Sequence, residues 1–228
     1  MSNRTLIACG ALVALAGMAQ AAGTLHVGLE GGVNIASVEA NNLIEGASTG
    51  SRAGVLLGAY ARRQIAPIIS VGAGIRLDQR GQTVDFDAGA LPGITQTKIR
   101  YSYLTIPIHA RFDLSRGSVV PFLEVGPEVG FLLSAKASAE GPDAPDSDDD
   151  MKRFLDDLDL GIGFGGGIEI PAGSLRLGLG AGYSLGILNI LQDESYDVVA
   201  RAEHHGEGAH REIHEKNRAF RISLRVGS

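Results

Sequence analysis

Between positions 175 and 187 an apolar residue stands at every second place (Leu175, Leu177, Leu179, Ala181, Tyr183, Leu185, Ile187), with Arg176, Gly178, Gly180, Gly182, Ser184 and Gly186 between them. A helix would scatter the two sets around its axis, whereas a strand puts them on opposite faces. The same spacing runs through residues 25–35 (Leu25, Val27, Leu29, Val33, Ile35), 52–63 (Ala53, Val55, Leu57, Ala59), 68–80 (Ile69, Val71, Ala73, Ile75, Leu77) and 100–114 (Leu104, Ile106, Ile108, Ala110, Phe112, Leu114). It returns at 119–134 (Leu123, Val125, Val129, Phe131), 156–170 (Leu158, Leu160, Ile162, Phe164, Ile168, Ile170) and 218–227 (Phe220, Ile222, Leu224, Val226). With the strand over 174–189, these segments predict an all-β chain of eight antiparallel strands.

The connections alternate in length. Residues 63–67, 115–118 and 171–174 are the size of hairpin turns, whereas 39–51, 81–99, 135–155 and 188–217 are long, polar and poor in strand formers. Short turns on one side and long loops on the other are the layout of an outer-membrane barrel, and eight is an allowed strand number. Strands of about 10 to 16 residues also suffice for the roughly 9 to 11 that a tilted strand needs to cross the hydrocarbon. The expectation is an eight-stranded antiparallel up-and-down transmembrane β-barrel over residues 22–228.

Alternation alone does not say whether the apolar face meets lipid or a soluble core; the other face decides. Glycine makes up 32 of 228 residues, about twice its ordinary share, and much of it lies opposite the apolar set. In a soluble barrel those glycines would face water and weaken the strands without gain. Glu30, Arg76, His109, Arg111, Glu124, Glu128, Arg176, Arg221 and Arg225 share that face, whereas Lys98, Lys136, Lys152 and Lys216 lie in loops or at strand ends. An eight-stranded barrel has room inside only for side chains, so glycine opposite arginine or glutamate fits a narrow interior. The nine residues are therefore expected to form a polar network in the barrel core, since charges removed from water survive when paired. The rival architecture is a soluble periplasmic lipocalin-like ligand-binding barrel.

Met1–Arg4 is a short positive start, followed by an apolar run to Met18 and a small-x-small Ala19-Gln20-Ala21. This reads as a secretory signal peptide over residues 1–21. Its removal takes away Cys9, the single cysteine, so the exported chain folds without disulfides. A net charge of −6 argues against nucleic-acid binding.

Two polar segments carry candidate ligand chemistry. Residues 203–215 read EHHGEGAHREIHE, and His210 and His214 would share one face of a helical turn, where with His204 and His205 they could hold Zn²⁺ or another divalent metal. The alternative is a solvated loop in which histidine is tolerated. Asp143, Asp146, Asp148, Asp149 and Asp150 could offer oxygens to Ca²⁺, but the glycine of an EF-hand loop is missing. No G-x-S-x-G, H-E-x-x-H, P-loop or dinucleotide fingerprint occurs in a fitting context. His109 alternates with the apolar set and so cannot face lipid, which speaks against a lipid A deacylase. No enzyme is expected, and no cofactor beyond the metal considered for the histidine segment.

Tyr103-Leu104-Thr105-Ile106-Pro107, followed by Pro121-Phe122-Leu123-Glu124-Val125-Gly126-Pro127 and Gly130-Phe131-Leu132-Leu133-Ser134-Ala135-Lys136, resembles the PorT-like family of outer-membrane β-barrel proteins, with an architecture similar to the small OmpA/OmpX-type barrels. The resemblance implies residence in the outer membrane in contact with its lipid, and insertion by the barrel-assembly machinery; it implies no particular ligand. A monomer is expected. The expected role is structural or in surface interaction through the long extracellular loops, with an extracellular partner that the residues do not identify. The alternative within the membrane is a narrow channel for small solutes.

Overall fold

A computed structural model describes residues 23–40, 47–87, 93–142, 144, 149–188 and 215–228. The strands are β1 (Leu25–Ala40), β2 (Ala47–Ala66), β3 (Ile69–Phe86), β4 (Gln96–Asp113), β5 (Val120–Glu140), β6 (Asp149–Asp150), β7 (Leu158–Ala172), β8 (Leu175–Gly186) and β9 (Glu215–Gly227). All but β6 pair antiparallel with their chain neighbours, β5 passing directly to β7, and β9 returns to β1 to close the ring. The two-residue β6 lies outside that ring, against Lys136 and Ala137 of β5. The result is a closed, eight-stranded up-and-down barrel, in which no strand edge is left to be satisfied by lipid.

The apolar set points outward. Leu29, Val33, Leu57, Ile75, Leu77, Leu123, Leu177, Leu179 and Leu224 are all exposed, whereas the most deeply buried side chains include Arg111, Glu169, Asn34 and Thr105. Burial of charge with exposure of leucine inverts the soluble pattern and excludes the lipocalin-like arrangement, because aqueous surroundings would leave a continuous apolar band unfavourably exposed. No described helix is long and apolar enough to cross a membrane; the strands do so instead.

Three features depart from the sequence expectation. Strands run further toward the long-loop end than alternation indicates: β3 continues to Phe86, β4 starts at Gln96 and β5 reaches Glu140. The long loops expected over 39–51, 81–99, 135–155 and 188–217 are therefore partly strand, and Lys98, Lys136 and Lys216 sit in those extensions. Backbone pairing does not require an apolar face, so Thr83 with Lys98 and Val84 with Thr97 continue the ladder above the membrane band. Second, Ser102 pairs with Ser134 but Tyr103 with Leu132, leaving Leu133 as an extra residue. This β-bulge switches the parity of β5: Leu132 is buried, Leu133 is 49% exposed and Ala135 is buried. Third, Val129 is buried, not freely exposed to lipid, as it stands between Ile106 and Leu160 on the neighbouring strands.

The turns at the other end are tight. Pro67 and Ile68 join β2 to β3, and Gly173 with Ser174 joins β7 to β8, where Gly173 has φ 67° in the region glycine enters at no steric cost.

Candidate functional site

The barrel interior is a stack of charged layers. Nearest the short turns, Glu169 accepts hydrogen bonds from Arg62 (2.6 Å), Arg176 (3.0 Å) and Arg111 (3.1 Å). The Arg111 guanidinium lies 3.8 Å from the centre of the Phe122 ring, and its Nε donates to Asp113 at 2.7 Å. Guanidinium is planar and weakly hydrated, so it can stack and bridge carboxylates at the same time.

In the next layer Arg225 Nη1 donates to both oxygens of Glu124 (2.7 and 2.9 Å), and its Nε lies 3.4 Å from Glu30. His109 Nε2 is 4.0 Å from Glu124. Above it, Glu128 sits between Arg76 (3.3 Å) and Arg221 (3.1 Å) and accepts from Ser184 Oγ at 2.6 Å. Arg76 also faces Glu30 (3.7 Å) and Asp78 (3.4 Å). Asp78 then accepts from Asn34 and from Arg80 Nη2 (2.9 Å), and Arg80 Nη1 continues to Asp159 (2.9 Å). Asn217 donates to Asp159 (3.0 Å) and Tyr103 (3.2 Å).

The outer end is closed by apolar side chains. Val38, Tyr101, Tyr103, Leu132, Ala135 and Leu155 pack together, with Ile99 and Met151 against them. Leu155 follows the 3₁₀ turn Lys152–Phe154, and the Met151 amide donates to the Ala135 carbonyl at 3.0 Å, so the segment after β6 folds back across the mouth.

All nine residues singled out in the sequence, Glu30, Arg76, His109, Arg111, Glu124, Glu128, Arg176, Arg221 and Arg225, lie in this stack, each within 4.0 Å of an opposite charge. Sequence reasoning missed Arg62, Asp78, Arg80 and Asp159, and left Glu169 out of the network. The signal was present, since 76, 78 and 80 share one parity and 159 and 169 another. Glycine makes the room: a Cβ at Gly163 would sit 2.5 Å from Glu128 Oε1, and one at Gly182 would sit 3.0 Å from Arg221 Nε.

Between the middle layers remains a void of only about 30 Å³, bordered by Tyr60, His109, Glu124 and Arg225 among others, space for one or two water molecules. His204, His205, His210 and His214, the signal segment 1–21, and Asp143, Asp146 and Asp148 lie outside the described residues. Among the described residues no group of three or more His, Cys, Asp or Glu side chains is placed to hold a metal ion.

A closed ring of eight strands with lipid-facing leucine and a charged core is matched at the sequence level too: residues 18–192 fit the model of the outer membrane protein beta-barrel domain. The chain belongs to that family. It is an outer-membrane protein, and it is embedded in outer-membrane lipid through its apolar band. Among solved structures, the chain is similar to the outer membrane protein OprG from Pseudomonas aeruginosa, with a TM-score of 0.51 at 10% identity over 91% of this chain and 97% of that one. It is also similar to Neisserial surface protein A (TM-score 0.43, 15% identity, 89% and 95% covered) and to Ail, the attachment invasion locus protein of Yersinia pestis (0.42, 12%, 89% and 98%). At these identities the likeness concerns the fold. No sequence relative was found among curated proteins.

Proposed function

We propose that this family member is a rigid outer-membrane scaffold that carries surface-interaction loops, not a solute pore and not an enzyme. The carrying observation is the filled middle of the interior: stacked ion pairs beneath an apolar cluster at Tyr101, Tyr103 and Leu155, with a void of about 30 Å³ between the middle layers. A solute would have to break buried ion pairs that lose their partners at a cost of about 3–5 kcal/mol each. Recognition is commonly placed on loops held by such a scaffold, and here the connections 41–46, 88–92 and 189–214 all join strands at the extended end of the barrel. Within the family, the resemblance to PorT-like barrels supports that branch: the Tyr103–Pro107 run lies beside residues 128–132 in the β4–β5 ladder. Residues 1–21 serve as the export signal in this reading, and the assembly machinery inserts the barrel.

The test is planar-bilayer conductance of the purified barrel, together with surface labelling. The expected result is no steady opening, and labelling of a Ser195→Cys variant by a membrane-impermeant maleimide on intact cells. Steady single-channel openings overturn the reading in favour of a narrow channel. Failure of the Ser195→Cys variant to react on intact cells, while it reacts after lysis, overturns it by placing the loop on the other side of the membrane.

A further inference from the structure

Where the short turns meet, the barrel interior widens into a cavity of about 680 Å³, opposite the capped end. Arg62, Arg116, Arg176, His26, Ser70 and Asp113 are among its lining residues. Charge in this wall does not balance. Among the described lining residues Asp113 is the one carboxylate against Arg62, Arg116 and Arg176, and Glu169, which is not in the lining, already takes hydrogen bonds from Arg62, Arg111 and Arg176. Arg111 also engages Asp113 at 2.7 Å and approaches Glu124 at 3.8 Å, but Glu124 is itself held bidentately by Arg225. His26 Nδ1 lies 2.8 Å from an oxygen of Ser228, the last residue of the sequence. Guanidiniums outnumber carboxylates in the described lining, so the cavity wall carries a net positive charge.

A second observation points the same way. The Arg62 side chain is 3% exposed and lines the cavity, yet its Nη1 has no hydrogen-bond partner, and Nη2 of the fully buried Arg111 behind it has none either. Buried N–H groups of a charged side chain are seldom left unpaired, because the lost solvation is not recovered. Forked guanidinium donors match tetrahedral oxyanions, and a phosphate group, free or in a lipid headgroup, carries the negative charge that such a wall attracts.

We propose that the cavity at the short-turn end is a phosphate-binding site, taking either free phosphate or the phosphate of an anionic lipid headgroup, with Arg176 and Arg116 as the accessible donors and Arg62 in its wall. By the loop asymmetry of such barrels this end faces the periplasm. The site lies at the other end of the barrel from the surface loops, so it stands or falls independently of their role.

Calorimetric titration of inorganic phosphate into the full barrel in phosphatidylcholine nanodiscs, at fixed ionic strength, tests it. Binding is expected to saturate. Arg176→Gln and Arg116→Gln, at half-buried and exposed positions that leave the fold intact by heat-modifiable gel migration, should each weaken it about tenfold. Arg100→Gln, exposed near the opposite end, should leave it unchanged. Repeating the titration with phosphatidylglycerol in the disc separates the sources: a fall in apparent affinity identifies a competing lipid headgroup, and no change identifies free phosphate, both consistent with the site. Absence of saturable binding, or an equal loss in Arg100→Gln, overturns the proposal.

Discussion

In β8, Leu177 and Leu179 stand about half exposed on the outside, while on the inside Gly178 and Gly180 yield their space to neighbours: a Cβ at Gly178 would meet Arg225 Cβ at 3.3 Å, and one at Gly180 would meet Ser223 Oγ at 3.5 Å. The outward leucines need only be apolar, because acyl chains adapt to whatever surface they are given. The inward residues need partners at fixed positions, because a charge held away from water depends on a neighbour within a few ångströms. One face of each strand is thus specified by chemical class, and the other by individual identity.

The widest gap between the two faces should appear at Arg111. Arg111→Ala strips donors from Glu169 and Asp113 and takes a cation from 3.8 Å of Glu124, at a guanidinium that is itself fully buried, and should cost about 3–5 kcal/mol in urea unfolding from lipid vesicles. A loss below about 1 kcal/mol would mean that water reaches this layer. On the outer face, Leu179→Arg should cost about 2–4 kcal/mol near mid-bilayer, whereas Leu179→Ile should be nearly silent in the same assay. If both Leu179 variants are silent, the residue does not meet lipid.

Gly163→Val sharpens the comparison from the volume side. The added atoms overlap the Glu128 carboxylate, and overfilling should cost about 1–3 kcal/mol, with partial relief when Glu128 is shortened to Asp. The smallest effect belongs where neither rule applies. Lys98 and Glu140 form an ion pair on the exposed strand extensions, and a double-mutant cycle there should give about 0.2–1 kcal/mol, declining with salt.

The class of each outward residue is legible in the sequence for the same reason that mutation there is forgiving: a two-residue period is enough to state it. The inward parity is legible as well, which is how Arg76, Glu128 and Arg225 can be placed. Which carboxylate meets which guanidinium is not, because Arg62 and Glu169 lie 107 residues apart and meet through the curvature of the closed ring. Asp78, Arg80 and Asp159 fall inside the segments 68–80 and 156–170 and sit on paired strands, but position near a strand end does not by itself tell a charge buried in the core from one in the water beyond the membrane band. The bulge at Leu133 is hidden for another reason. Phe131, Leu132 and Leu133 are three consecutive apolar residues, and only the pairing to Ser102 and Tyr103 determines which of them turns outward.

The seam between β1 and β9 bears on how the molecule is made. Gly28 through Ala40 pair with Gly227 through Glu215, so the first strand to be synthesised waits for the last before its free edge is covered. Contacts across so large a sequence separation form slowly, since the chain entropy of closing the loop is lost before the ladder returns any stabilisation. Until that moment the hairpins expose both an unpaired edge and a leucine-rich face, which is the state most prone to aggregation. Closure of this seam is thus the expected late step, and variants that weaken the β1–β9 pairing, for example at Asn34 opposite Arg221, should lengthen the lifetime of the open sheet more than they alter the finished barrel.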